Sequence, residues 1–267
     1  MSEHRWIVPP PRARREPALR LYCFHHAGGS AASFAAWHRA LPEQIEVHAL
    51  QLPRAYLMEP ALAEAMRRAT PREQLDAWIA ALCDALGETL PDAMPFAFYG
   101  HSLGALIAYE LTCALRRMGM PQPAALCVSG RRAPACALRG APLCDLDDAT
   151  FVPWLARMGG VPTAFLENEK WRATFLPTMR DDLRVSDLYT PRGEPPLALP
   201  LFAFRGLRDP ILEADEFAAW RAITLGPSTV RVLSGAHFFD DEGLAALHRH
   251  LADDLDGVLA AMKETDR

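Results

Sequence analysis

Phe96-Ala97-Phe98-Tyr99-Gly100-His101-Ser102-Leu103-Gly104 decides the reading of this chain. An apolar, aromatic-rich run ends abruptly at Gly100, and a helical pattern starts at Leu103 and runs to about Arg117. The stretch is a G-x-S-x-G between a strand and a helix, the context in which the motif presents a nucleophilic serine on a sharp turn. Its glycines have a steric task. A side chain at Gly100 or Gly104 would collide with the neighbouring strand or helix. Arg116, Arg117 and Gly119 close the helix, with cations and a glycine where the macrodipole and the C-cap favour them.

Toward the N-terminus, Leu19 to Phe24 reads as a buried strand, followed by His25-His26-Ala27-Gly28-Gly29-Ser30. The glycine pair lets the backbone turn sharply and present amides to a ligand. A plain strand-to-helix turn is the alternative. His25 and His26 have no acidic or cysteine ligand nearby in sequence, so no metal is expected there. A short helix over Ala31–Leu41 has Phe34 and Trp37 on its apolar face. Ile45 to Leu52 is a second strand and Arg54 to Pro60 a loop. Thr70-Pro71-Arg72-Glu73 is a capping box with proline at the first helical position. The helix it opens carries Leu75, Trp78, Ile79, Leu82 and Leu86 on one buried face. Residues 1–17 hold Pro9-Pro10-Pro11 and Arg12, Arg14 and Arg15, which predicts a loose, solvated arm; a partner-binding segment is the alternative.

Toward the C-terminus, Ala124 to Ser129 is another strand, and then the alternation breaks. Residues 133–195 have no strong strand signal. Asp147 or Asp148 is placed to cap a helix over Phe151–Met158, stopped by Gly159-Gly160. Further helical patterns cross Glu167–Phe175 and Thr178–Tyr189. A helical insertion of this size reads either as a lid or as extra scaffold. The alternation resumes with a strand over Leu199–Phe204, the loop Arg205-Gly206-Leu207-Arg208-Asp209-Pro210 and a helix near Asp215–Ile223. Thr229 to Leu233 is the last strand, followed by Ser234-Gly235-Ala236-His237-Phe238-Phe239. The final helix puts Leu244, Leu247, Leu251, Leu255, Val258 and Leu259 on one face. Strands alternating with helices imply a mostly parallel sheet covered on both faces, so the fold class is α/β.

Bulk composition agrees with this. The chain has 267 residues, half of them hydrophobic, enough for one large core. Its net charge is −5, and it has no long basic run beyond the N-terminus, which argues against nucleic acid as a partner. The six cysteines show no C-x-x-C spacing and read as reduced thiols of a cytoplasmic protein. No apolar stretch reaches the length of a membrane span, and residues 1–17 have no apolar core of a secretory signal.

Parallel sheets hold their sites beyond the carboxyl ends of the strands. Three loops in that location carry Ser102, Asp209 and His237, each soon after an apolar strand. Ser…Asp…His is the α/β-hydrolase order. A serine hydroxyl is a weak nucleophile at neutral pH and needs a base within reach. His237 takes its proton and later returns it to the leaving group, while Asp209 fixes the imidazole tautomer and stabilises its charged form. The amide of Leu103 is one oxyanion donor, and that of Ala27 the natural second. His101 reads as a packing or loop-bracing residue, and His248 and His250 as surface or interface residues. Asp215, Asp240 and Asp241 compete with Asp209 for the acid role, although Asp240 and Asp241 fit better as helix caps. Arg205 and Arg208 read as solvated arginines, with a phosphate-bearing ligand as the alternative.

Five stretches together resemble the stand-alone type II thioesterases of non-ribosomal peptide and polyketide synthesis. They are Cys23-Phe24-His25-His26-Ala27-Gly28-Gly29-Ser30, Gly100-His101-Ser102-Leu103-Gly104, Leu176-Pro177-Thr178-Met179-Arg180-Asp181-Asp182, Gly206-x-x-Asp209 and Gly235-x-His237-Phe238-Phe239. The match runs over roughly residues 19–260. The resemblance implies hydrolysis of acyl thioesters on the phosphopantetheine arm of an acyl or peptidyl carrier protein, for editing or release. It carries the triad to Ser102, Asp209 and His237 and the oxyanion amides to Ala27 and Leu103. It makes the 133–195 insertion a mobile lid on one domain spanning 18–267. It implies no cofactor beyond the phosphopantetheine that arrives on the substrate. Oligomeric state stays open, with a monomer as the working expectation. One departure stands out. After Gln51-Leu52-Pro53 the family shows Gly-Arg and a longer charged loop, where this chain has Arg54-Ala55-Tyr56-Leu57-Met58-Glu59-Pro60, which bears on acyl preference and carrier docking. Two rival readings are a hydrolase of small esters or lipids, which needs the same machinery, and a catalytically silent binding partner of a synthase.

Overall fold

A computed structural model describes residues 6–54, 60–90, 94–161 and 163–265. Seven strands form one sheet: β1 Ile7–Val8, β2 Leu19–Phe24, β3 Ile45–Leu50, β4 Phe96–His101, β5 Leu126–Ser129, β6 Leu201–Gly206 and β7 Ser228–Leu233. Their order is β1-β3-β2-β4-β5-β6-β7. All neighbours are parallel except β1, which runs antiparallel to β3 with Ile7 opposite Leu50. The carboxyl ends of β2, β4, β6 and β7 therefore open on one edge of the sheet, where each candidate site loop begins.

Helices cover both faces: α1 Trp37–Ala40, α2 Pro60–Arg68, α3 Pro71–Gly87, α4 Leu103–Arg117, α5 Asp148–Met158, α6 Thr163–Glu167, α7 Glu169–Asp187, α8 Ala214–Ala218 and α9 Asp241–Thr265. On one face Trp78 and Leu82 of α3 and Leu106 and Leu111 of α4 pack with Phe24, Phe98 and Leu201. On the other, Phe34 and Trp37 and the α9 leucines 247, 251 and 255 pack with Tyr99, Cys127 and Phe202. Full burial of each such side chain contributes roughly 1.5–3 kcal/mol. Every residue of α4 from Leu103 to Leu115 is buried, so the helix behind the serine is enclosed along nearly its whole length. The capping box forms as predicted: Thr70 accepts from the Glu73 amide, and the Glu73 carboxylate accepts from the Thr70 amide at 2.8 Å.

Several expectations need correction. The arm is not loose over residues 6–17. Ile7 is buried, Arg14 pairs with Glu43 at 2.6 Å, and Arg14 donates to the Leu41 carbonyl at 3.1 Å. The helix read over Ala31–Leu41 splits into a 3₁₀ turn at Ala31–Phe34 and the short α1. The two helices read on either side of Pro177 are one, α7, because Leu176, Met179 and Leu183 are all buried in the core beside it. A proline removes one ladder bond but does not end a helix whose face is held by packing. Helix α2 was not foreseen, and of the 54–60 loop positions 55–59 lie outside the described residues. His248 is half-buried, and its ring meets Trp37 edge-on at 4.7 Å. The ring of His250 stacks at 6.5 Å on that of Phe204. Leu244 falls outside the buried stripe of α9.

Candidate active site

Ser102 joins β4 to α4 with φ 56° and ψ −115°, the single non-glycine residue with positive φ among those described. The glycines on either side make that turn possible. A methyl group at Gly100 would overlap the Gly104 carbonyl, and one at Gly104 would overlap the Phe24 carbonyl of β2. Close approach of α4 to β2 and β4 thus fixes the serine at the end of the sheet. The first amides of a helix lack intrahelical partners, so the Leu103 amide sits at the positive end of α4, next to the serine.

Asp209 and His237 meet although 28 residues separate them: His237 Nδ1 and Asp209 Oδ2 are 3.0 Å apart. Asp209 is buried and its other oxygen accepts from the Ile211 amide at 3.1 Å. A carboxylate held from both sides is the geometry that fixes an imidazole with Nδ1 as donor and leaves Nε2 for a proton from serine. Ser102, His237 and Ala27 all line one cavity of about 280 Å³. Trp154, Leu155 and Met158 of α5 and Met179 and Leu183 of α7 make its apolar wall. The insertion is thus both cover and scaffold: α5 roofs the cavity, while Leu176, Met179 and Val185 of α7 belong to the main core.

The loop that carries Ala27 and Gly28 is tied to α7 in a way the sequence did not reveal. The Gly28 amide donates to Asp182 Oδ2 at 2.7 Å. Arg54 holds the same carboxylate through Nε at 3.2 Å and through Nη2. Asp182 and Arg54 are 1% and 5% exposed, so this ion pair is internal. Gly28 adopts φ 73°, which turns the backbone just past Ala27, and Met179 and Phe175 of α7 close over it. Asp182 stands within the Leu176–Asp182 stretch, but only folding reveals its partner 128 residues away.

Three other histidines crowd the site, all held neutral near pH 7. Burial, with help from the charges of His237 and Arg54, pushes His26 down to about 4. Burial also takes His25 and His101 well below the usual histidine range. His25 braces the loop: its Nδ1 lies 2.8 Å from the His26 carbonyl, and its Nε2 accepts from the Leu52 amide at 3.4 Å. His101 bonds through Nδ1 to Ser129 Oγ at 2.7 Å and packs beside His237 with ring centroids 5.1 Å apart. It is a bracing residue, as its place in a tight turn predicts.

The competitors for the acid role are engaged elsewhere. Asp215 is exposed and pairs with Arg139 at 2.8 Å. Asp240 caps α9 by accepting from the Gly243 amide at 2.9 Å, and it also pairs with Arg208 at 3.2 Å. Arg205 donates to the Leu212 carbonyl at 3.0 Å. Among the described residues no group of three or more His, Cys, Asp or Glu is placed to hold a metal ion. Nor is any described helix long and apolar enough to cross a membrane.

A serine on a strand–helix turn, backed by a histidine–aspartate pair at the ends of neighbouring parallel strands, defines a serine hydrolase of the α/β-hydrolase fold. Comparison with known proteins narrows the class. The thioesterase domain model matches residues 19–255. The solved structure of RedJ, a thioesterase from the prodiginine pathway of Streptomyces coelicolor, superposes with a TM-score of 0.77 at 34% identity, covering 92% of this chain and 88% of that one. BorB, a type II thioesterase from the borrelidin cluster, superposes with a TM-score of 0.72 at 28% identity over 97% of this chain and 99% of its own. Linear gramicidin dehydrogenase LgrE of Brevibacillus parabrevis is 34% identical over 245 residues, 90% of this chain and 88% of that one. The dehydrogenase name belongs to LgrE; here Ser102 lines the same cavity as His237, which is bonded to Asp209. This chain belongs to the type II thioesterase family, and it is an enzyme of thioester hydrolysis.

Proposed function

We propose that Ser102, His237 and Asp209 hydrolyse acyl thioesters carried on the phosphopantetheine arm of a carrier protein in peptide or polyketide synthesis. The observation that supports this most is the His237–Asp209 hydrogen bond at the edge of the cavity that Ser102 and Ala27 also line. Ser102 Oγ attacks the thioester carbonyl and its proton passes to His237 Nε2. The carbonyl oxygen becomes an oxyanion, received by the amides of Ala27 and Leu103. Collapse breaks the carbon–sulfur bond, and the arm leaves as a thiol with the proton from His237. The acyl group stays on Ser102 as an ester. Water then attacks that ester, giving a proton to His237. A second collapse releases the acid and returns the proton to Ser102.

The apolar wall from α5 and α7 suits the acyl chain, and burial there excludes water that would compete for the oxyanion donors. The test compares hydrolysis of an acylated carrier protein with that of a nitrophenyl ester of the same acyl group. The proposal predicts a kcat/KM higher for the carrier substrate, and loss of both activities in Ser102→Ala. Preference for the oxygen ester would point instead to a small-ester hydrolase.

A further inference from the structure

The acyl cavity has a second wall that the reaction does not use. Residues Gly130, Arg131 and Arg132 follow β5 and line the cavity. Strand β5 lies beside β4 with Ser129 in register with His101, so the two arginines begin one strand away from the serine. Arg131 is 6% exposed. Its terminal nitrogens donate to Ser186 Oγ at 2.7 Å and to the Ser186 carbonyl at 3.1 Å. Its Nε is buried without a partner. Arg132 spends Nε on the Cys136 carbonyl at 3.2 Å, and its two terminal nitrogens bond to no described residue.

Neither guanidinium forms an ion pair among the described residues. For Arg131 that is unusual, because buried charges are ordinarily paired. The nearby carboxylates hydrogen-bond to other groups, Asp187 through Oδ2 alone. Asp187 accepts from the amides of Leu143 and Cys144 at 2.7 and 3.3 Å. Glu216 holds Arg139 Nε at 3.0 Å and the Glu213 amide at 3.1 Å. They offset the charge of the wall from a distance and leave the terminal donors of Arg132 open. Arg131, Arg132 and Arg139 face Asp187, Glu213 and Glu216 around the same cavity, so its lining is close to neutral. Burial accordingly lowers the affinity of both guanidinium groups for their protons, that of Arg131 to about 9.

We propose that Arg131 and Arg132 form a hydrogen-bonding subsite for a neutral oxygen on the acyl group, such as a β-oxo, β-hydroxy or amide oxygen. The inference rests on the thioesterase reading above and adds its substrate class. A guanidinium has five donors and no acceptor. An alkyl chain entering the cavity strips water from those donors and gives nothing back, whereas a carbonyl or hydroxyl oxygen accepts from them. Asp187, Glu213 and Glu216 already balance the three arginines, so the cavity has no excess positive charge to hold a carboxylate.

The experiment loads one carrier protein with hexanoyl, β-oxohexanoyl or glutaryl groups and measures kcat/KM for each. The β-oxo substrate is expected to exceed hexanoyl by about tenfold or more, the size of one hydrogen bond to a charged donor. In Arg132→Met the ratio should fall toward one, and Arg132→Lys should restore part of it. Arg131→Met is read in the same way, with a melting curve to confirm that it folds. Equal rates for hexanoyl and β-oxohexanoyl in the wild type, or a ratio that survives Arg132→Met, would overturn the subsite while leaving thioester hydrolysis in place. A glutaryl group hydrolysed fastest would overturn the neutral-oxygen assignment. Failure to hydrolyse any of the three would overturn both this subsite and the thioesterase reading.

Discussion

Ser102 holds a backbone conformation that costs on the order of 1–3 kcal/mol, and its neighbours hold it there. Gly104→Ala places a methyl group against the Phe24 carbonyl, so it should lower stability by about 1–3 kcal/mol or more, measured by thermal or denaturant unfolding. An unchanged midpoint would contradict the close approach of α4 to β2. Asp209→Asn keeps the size of the side chain but disturbs the imidazole tautomer. Its kcat should fall by about 10⁴ with the fold intact, read from steady-state kinetics beside a melting curve. Ser102, Asp209 and His237 were legible in the sequence because each follows an apolar strand and the loops carry few rival side chains. Arg54, Asp182 and the Gly28 amide were not, because nothing local links a loop arginine to an aspartate 128 residues away. Nor does anything local mark Arg131 and Arg132, which follow a strand end and meet the cavity only once the chain is folded.

At the level of elements, the strand–helix alternation was legible because its periods are long and its caps explicit, as at Thr70 and Asp147. The misreadings arose where tertiary packing overrides local signals. Pro177 lies inside α7, and β1 is only two residues long, too short to leave a pattern. The tie between α7 and the Ala27–Gly28 loop yields a prediction at this scale. Asp182→Asn removes the charge of a carboxylate that the buried Arg54 holds, and breaking such an internal pair costs about 3–5 kcal/mol. It also weakens the acceptor that holds the Gly28 amide beside Ala27. The variant should therefore melt at a lower temperature, and its kcat should fall by about tenfold or more, with KM moving less. Wild-type values of both would show that α7 does not support the loop.

For the whole molecule, the buried histidines set the response to acid. His25, His26 and His101 have folded pKa values below the unfolded value of 6.5. Below that value the unfolded chain takes up protons that the folded chain refuses, so stability rises with pH there and is lost as pH falls. Each should cost about 1 kcal/mol between about pH 7.5 and about pH 5.5, seen as a falling denaturant midpoint. Asp182 and Asp187, raised by burial, act in the opposite sense but nearer the carboxylate range. Stability that stays flat over the window would contradict the burial of these rings. The account as a whole rests on one covalent event, transfer of the acyl group from the arm to Ser102. Rapid quenching of the enzyme with an acylated carrier protein, followed by peptide mass spectrometry, tests it directly. The account predicts an acyl adduct on the peptide containing Ser102 that decays as free acid appears, and neither adduct nor turnover in Ser102→Ala. An adduct on another residue, or turnover that persists in Ser102→Ala, would contradict it.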